Sequence, residues 1–168
     1  MAKRLLVICT LLCLDLFVFV LIYESNVEDS VKASTTFYEN VIALTFDDGP
    51  HGTYTKELLE GLKKREVVAS FFILGEHIEG NEELLLQMKE DGHLIGNHTF
   101  SHVKLDELND QTACDEVRRT CEAIESITGE PVEYIRPPYG AYNEKLECMI
   151  NLNKVLWTID PQDWNTTN

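Results

Sequence analysis

Positive charge is scarce in this chain. Its 168 residues carry 14 Lys and Arg against 29 Asp and Glu, a formal charge of −15 with a pI near 4.6. Nucleic acid and anionic lipid headgroups need cations to neutralise phosphate, so neither is a main partner. Cysteine lacks a useful pattern: the five residues at 9, 13, 114, 121 and 148 include no C-x2-C pair. That excludes a zinc ribbon and a disulfide-dense small domain. Cys114 and Cys121, seven apart on one predicted helix, read as small buried apolar residues. Internal repeats and low-complexity tracts are missing too. What is present is an ordinary apolar fraction of 44%, suited to one packed domain and too high for general disorder.

One long apolar run occurs, from Leu5 to Tyr23, with Lys3 and Arg4 before it and Glu24, Glu28 and Asp29 behind it. As a helix it spans roughly 28 Å, enough to cross a bilayer core. Asp15 within it costs about 2.5–3.5 kcal/mol if central, which the surrounding Leu and Phe offset. The run is long for a signal-peptide core, and no A-x-A site follows. Residues 1–23 therefore read as a signal-anchor: a single pass in the cell membrane, with the domain outside. A cleaved signal peptide releasing a secreted domain, and a buried helix, remain as alternatives. Residues 24–40 are polar and read as a tether, and 41–168 as the domain.

Within the domain, short apolar runs alternate with helical periods. Predicted strands are Val41 to Phe46, Val67 to Leu74, His93 to Gly96, Val132 to Ile135 and Val155 to Ile159. Predicted helices run from Lys56 to Arg65, from the Asn81 cap to Gly92, from about Asn109 to Thr128, and from Asn143 to Asn151. Near-continuous apolar strands separated by helices imply parallel strands covered by helices. Five strands do not close a usual eight-stranded barrel, which leaves an open sheet or an incomplete barrel.

In such folds the chemistry sits at the carboxyl ends of the strands. Four polar clusters fall there. Asp47-Asp48-Gly49-Pro50 follows the first strand, and its turn lets two carboxylates face one opening. His98-Thr99-Phe100-Ser101-His102 follows the third. Two imidazoles at this spacing and a neighbouring carboxylate make a three-ligand set for zinc with an open fourth position, where bound water becomes acidic near neutral pH. Arg136-Pro137-Pro138-Tyr139-Gly140 follows the fourth, stiffened by its prolines, and an Arg near a carboxylate keeps it ionised. Asp160-Pro161-Gln162-Asp163-Trp164 follows the fifth, where an Asp can hold a His and an indole can wall an apolar pocket. Any one of these alone also reads as a solvated turn or loop.

Together, Thr45–Pro50, Gly96–His102, Arg136–Gly140 and Asp160–Trp164 resemble the motifs of the polysaccharide deacetylases, the NodB-like carbohydrate esterases, over about residues 41–164. The resemblance implies an α/β fold, an incomplete distorted (β/α) barrel with fewer than eight units. It implies a divalent metal, zinc above all, and removal of N-acetyl groups from an aminosugar polysaccharide such as peptidoglycan or chitin-like N-acetylglucosamine. Carried onto this sequence, Asp48, His98 and His102 bind the metal and Asp47 is the general base. Arg136 holds Asp47 ionised, and the Tyr139 N–H donates to the oxyanion. Asp163 tunes a catalytic acid His, while Pro138, Tyr139 and Trp164 contact substrate, Trp164 lining the acetyl pocket. The family takes its acid His from a Leu-x-His segment well beyond the Asp-Trp motif. Here the sequence stops at Asn168, four residues after Trp164. The expectation is a C-terminally truncated deacetylase that binds metal with little turnover, the alternative being an inactive metal-binding relic or glycan-binding module.

Overall fold

The computed structural model describes residues 41–143, 146 and 151–165. The predicted anchor (1–23), the tether (24–40) and most of the predicted helix 143–151 lie outside the described residues. Among the described residues no helix is long and apolar enough to cross a membrane. Residues Ala43–Asn168 form one unit.

Its strands and helices alternate: β1 (Thr45–Gly49), α1 (Tyr54–Lys63), β2 (Ser70–Ile73), α2 (Glu82–Glu90), β3 (Leu94–Asn97), α3 (Asp110–Thr128), β4 (Tyr134–Ile135) and β5 (Asn153–Lys154). All strand pairs are parallel and the sheet order follows the chain, β1-β2-β3-β4-β5. Each connection therefore steps one strand the same way. That is the winding of a barrel wall, without the reversal of order that defines a doubly wound sheet.

The strand β2 sits inside this sheet, and its Phe71, Phe72 and Ile73 are all buried. Side chains alternate along a strand. Phe71 and Ile73 accordingly join Leu59 and Leu62 of α1, Leu84, Leu85 and Met88 of α2 and Ile124 of α3 in the main core. Phe72 does not belong to that cluster; the Arg136 guanidinium covers its ring at 4.3 Å. A second cluster joins Leu105, Ala113 and Val117 to Ile135 and Leu146. Each buried Leu, Ile, Val, Phe or Met side chain contributes about 1.5–3 kcal/mol, and α3 feeds both clusters.

The helix α3 matches its predicted bounds. Asn109 caps it by accepting the Thr112 N–H at 3.0 Å. Gly129, at φ 70, ends it with its N–H on the Glu125 carbonyl, a backbone conformation that glycine adopts without Cβ strain. Ala113, Val117, Thr120 and Ile124 are buried as the periodicity predicts. The cysteine reading needs correction. Cys121 is a free, half-buried thiol, but Cys114 is disulfide-bonded, with its partner outside the described residues. A bridge depends on approach in space, which spacing along the chain does not disclose.

Two strands also shift from expectation. The strand β1 starts at Thr45 and runs through both aspartates to Gly49. The strand β5 is Asn153–Lys154, while Leu156, Trp157 and Ile159, in the apolar run predicted to form it, are exposed. Its ladder can extend only as far as β4 offers partners, and β4 is two residues long. After Arg136 come Pro137 and Pro138, which have no N–H to continue it.

Candidate metal centre

In a regular strand Asp47 and Asp48 would point to opposite faces. Here the β1–β2 register slips between Phe46, which pairs with Phe71, and Gly49, which pairs with Ile73. One extra residue is accommodated on β1, and Asp48 takes a left-handed conformation at φ 66. Such a bulge re-aims side chains. The displaced Asp48 carbonyl accepts from His77 Nδ1 at 2.9 Å. A carbonyl has no proton to give, so Nδ1 is the protonated nitrogen of His77. Gly49 returns to the ladder, its carbonyl accepting the Leu74 N–H at 2.9 Å.

On β3, Asn97 is fully buried. Its Oδ1 accepts the Thr99 N–H at 2.7 Å and its Nδ2 donates to the Val117 carbonyl at 2.8 Å. This bends the chain directly behind His98, and Thr99 and His102 both take positive φ. His98 is buried, with Nδ1 donating to the Arg136 carbonyl. That bond fixes its tautomer and turns the Nε2 lone pair outward. Burial first, and the neighbouring His102 last, push the His98 pKa down, while Asp47, the Arg136 carbonyl and Asp48 pull the other way. The net direction favours neutral imidazole, the ligand form.

The result brings the three expected ligands together. His98 Nε2 and His102 Nε2 each lie 3.4 Å from Asp48 Oδ1. The three ligand atoms all lie within 4.8 Å of one another, the one group of this kind found among the described residues. Two ligands on a tetrahedral ion at about 2.0–2.1 Å stand about 3.3 Å apart. The spacing and the donor set of two imidazoles and one carboxylate fit a divalent cation.

Asp47 stands beside this group, bound to Arg136, whose Nη1 donates to Asp47 Oδ1 at 2.8 Å. Arg136 is buried, with a side-chain exposure of 3% against 30% for Asp47. It also donates to Thr45 Oγ1 at 2.8 Å and to the Val155 and Leu156 carbonyls at 3.2 and 3.3 Å. The guanidinium thus joins β1 to the segment after β5 while keeping a cation against Asp47. Pro138 is buried in the next turn. Tyr139 there takes φ 59, and its ring centroid lies 4.8 Å from that of His102.

Asp163 and Trp164, by contrast, have no hydrogen bond or ion pair to this group among the described residues. Both are exposed, Trp164 at 74%, and the indole Nε1 reaches only Asp160 Oδ2 at 3.5 Å. The other histidines are engaged elsewhere. His51 Nδ1 accepts the Thr53 N–H at 3.2 Å, and His93 Nδ1 accepts the Ala69 N–H at 3.1 Å. The site is an open rim of loops. The described clefts, about 390 Å³ beside Cys114 and Cys121 and about 480 Å³ beside His93, include none of its residues.

Sequence reasoning missed His77, the structural part of Asn97, and Glu116. The Glu116 carboxylate accepts the Ser101 N–H at 2.8 Å, the Phe100 N–H at 3.1 Å and the Ser101 hydroxyl at 3.0 Å. The only sequence signal for Glu116 is its place next to Val117, on the edge of the apolar stripe.

The candidate metal ligands thus stand together at the carboxyl end of a parallel sheet, and sequence comparison supplies the family. The polysaccharide deacetylase family matches residues 34–154, and the chain belongs to it. It is similar to the peptidoglycan-N-acetylmuramic acid deacetylase PdaC of Bacillus subtilis, with 39% identity over 77% of this chain and 28% of that protein. The solved structure of PdaC superposes with a TM-score of 0.72, over 76% of this chain and 63% of that one. A peptidoglycan-N-acetylglucosamine deacetylase of Bacillus cereus is 38% identical over 73% of this chain and 46% of its own length. A chitooligosaccharide deacetylase of Rhizobium leguminosarum is 40% identical over 74% and 59%. The chain thus spans between about a quarter and three-fifths of these relatives.

Proposed function

We propose that this chain carries the metal-binding and base half of a centre that removes N-acetyl groups from an aminosugar polysaccharide, peptidoglycan or chitin-like N-acetylglucosamine. The observation that carries this reading is the meeting of Asp48, His98 and His102 beside an Asp47 held by Arg136. Zinc suits the donor set best: two neutral imidazoles, one carboxylate and room for a fourth ligand. A divalent ion held by Asp48, His98 and His102 would make water acidic near neutral pH and polarise the acetyl carbonyl.

The protein's own residues do the rest. Asp47, held in place by the buried guanidinium, takes a proton from the attacking water. The Tyr139 N–H is our assignment for donation to the carbonyl oxygen as it gains charge. Its place beside His102, in a turn of positive φ, supports that assignment. Pro138 and the Tyr139 ring are assigned to the glycan. Cleaving the C–N bond also requires a proton for the departing amine. The two ligand histidines apart, the histidine bonded to this group among the described residues is His77, through the Asp48 carbonyl, and Asp163 and Trp164, assigned to that half of the site, stand exposed. The incomplete barrel is part of the same reading.

We place the domain outside the cell, held by residues 1–23. The basic end of that run supports this, and so does the disulfide at Cys114, since such bonds persist in oxidising compartments. The test is acetate release from an N-acetylglucosamine oligomer by the zinc-loaded chain. The proposal expects slow release, above that of buffer alone, that is lost in Asp47→Asn and Asp48→Asn. Equal release from wild type and both variants would reject it.

A further inference from the structure

The loop from His98 to His102 supplies two of the three metal ligands, yet it lacks the regular backbone that would fix it. Thr99 and His102 occupy left-handed conformations, at φ 68 and φ 54. Non-glycine residues hold such conformations at a cost in strain, and only where the surroundings enforce them. Two neighbours on α3 do so here. The Val117 carbonyl anchors the first half of the loop through Asn97 Nδ2, while Asn97 Oδ1 takes the Thr99 N–H. Glu116 anchors the second half, gathering the Phe100 and Ser101 amides and the Ser101 hydroxyl onto one carboxylate. The Phe100 ring is pinned as well, with Arg119 stacked on it at 3.5 Å. On the other side the Thr99 and Phe100 carbonyls accept the Gly75 and Glu76 amides, both at 3.0 Å.

From this geometry we infer that Glu116 is a positioning residue for the metal centre: it presets the Phe100–Ser101 turn so that His102 faces Asp48 before any ion arrives. The inference rests on the metal-binding reading given above. Backbone N–H groups held by an ionised acceptor make roughly twice as strong a bond as those on a neutral one. Glu116 lies 14 residues beyond His102 in the chain, and its carboxylate bonds Phe100 and Ser101 and neither imidazole. Its effect is to remove alternative loop conformations from the metal-free protein. Loss of such outer partners typically weakens metal affinity about 10–100-fold.

The test measures zinc affinity of the full chain by competition with a chromophoric chelator, alongside thermal melting of the metal-free protein. Wild type binds one zinc and Asp48→Asn loses it. Glu116→Ala binds about 10-fold or more weaker, whereas Glu116→Gln, which keeps an acceptor oxygen, stays within about threefold of wild type. A purely structural role would lower the melting temperature and leave the affinity of the folded protein unchanged; that result overturns the inference. If Glu116→Ala does not fold, Ser101→Ala decides: weaker zinc binding supports the clamp and unchanged binding rejects it. Failure of wild type to bind zinc would bring down the metal reading as well, whereas loss in Asp48→Asn with full affinity in Glu116→Ala rejects the clamp alone.

Discussion

Arg136 Nη1 lies 2.8 Å from Asp47 Oδ1, and the same nitrogen lies 2.8 Å from Thr45 Oγ1. One buried cation therefore serves two ends. It orients the proposed base, and it ties β1 to the segment after β5. Arg136 sits on the face of the sheet opposite the main core, over Phe72.

Replacing Arg136 with Met keeps much of the volume over Phe72 and removes all the donors. Asp47, Thr45 and the Val155 and Leu156 carbonyls then lose a partner together. Breaking a buried ion pair from one side costs about 3–5 kcal/mol. The partial exposure of Asp47 lets water compensate, so the expected loss is at the low end, about 3 kcal/mol. Urea unfolding checks it. A loss below about 1 kcal/mol, the worth of a surface pair, would show that the guanidinium does not brace these segments.

Gly75 follows β2, and its N–H bonds the Thr99 carbonyl. A Cβ added there would stand 2.4 Å from Phe100 Cδ2 and 2.6 Å from Thr120 Oγ1. Neither neighbour can retreat easily, because Phe100 is pinned by Arg119 and Thr120 is buried on α3. Gly75→Ala should cost about 1–3 kcal/mol by overpacking, and zinc affinity should fall with it because Phe100 belongs to the histidine loop. Thermal melting and chelator competition measure the two effects. A fully stable variant with full affinity would contradict this packing.

Acid should destabilise the metal-free fold. His93 is buried, its Nδ1 accepts the Ala69 N–H, and its Nε2 has no hydrogen-bond partner among the described residues. Burial holds its pKa below 6.5, with Asp91 opposing only in part. Lys89, Glu130 and Glu133 line the same cleft. His98 is shifted the same way, mainly by burial. The unfolded chain takes up these protons near the ordinary His value while the folded chain resists. Stability is therefore full above about pH 6.5 and declines as pH falls toward the lowered folded values. Melting temperature should drop between pH 7 and pH 5, and less steeply in His93→Asn, which retains an acceptor for Ala69 and cannot titrate. Identical slopes would remove His93 from the account.

Much of the centre was legible in the sequence because its residue types carry the chemistry. Carboxylate and imidazole are metal-ligating groups wherever a fold brings them together, and alternating apolar runs and helical periods placed Asp48, His98 and His102 at strand ends. The helix α3 was legible almost to the residue, since its stripe and its terminal Gly129 are local signals. The arrangement of supports was not. The bulge that turns both aspartates to one rim depends on the register of β1 against β2. The acceptors of Arg136 are backbone carbonyls that look alike in any sequence. Glu116 reads as one more acid on an acidic helix until the loop it gathers is seen against it. The apolar run from Val155 to Ile159 looked like a strand, but β4 and its prolines leave it almost no ladder to join.

The most direct test of the central claim is anomalous diffraction at the zinc edge from crystals of the zinc-loaded full chain. The account predicts a single peak about 2.0–2.2 Å from an Asp48 carboxylate oxygen, His98 Nε2 and His102 Nε2, with Asp47 alongside and still bound to Arg136. Zinc bound by other residues, with these three side chains turned apart, would contradict it.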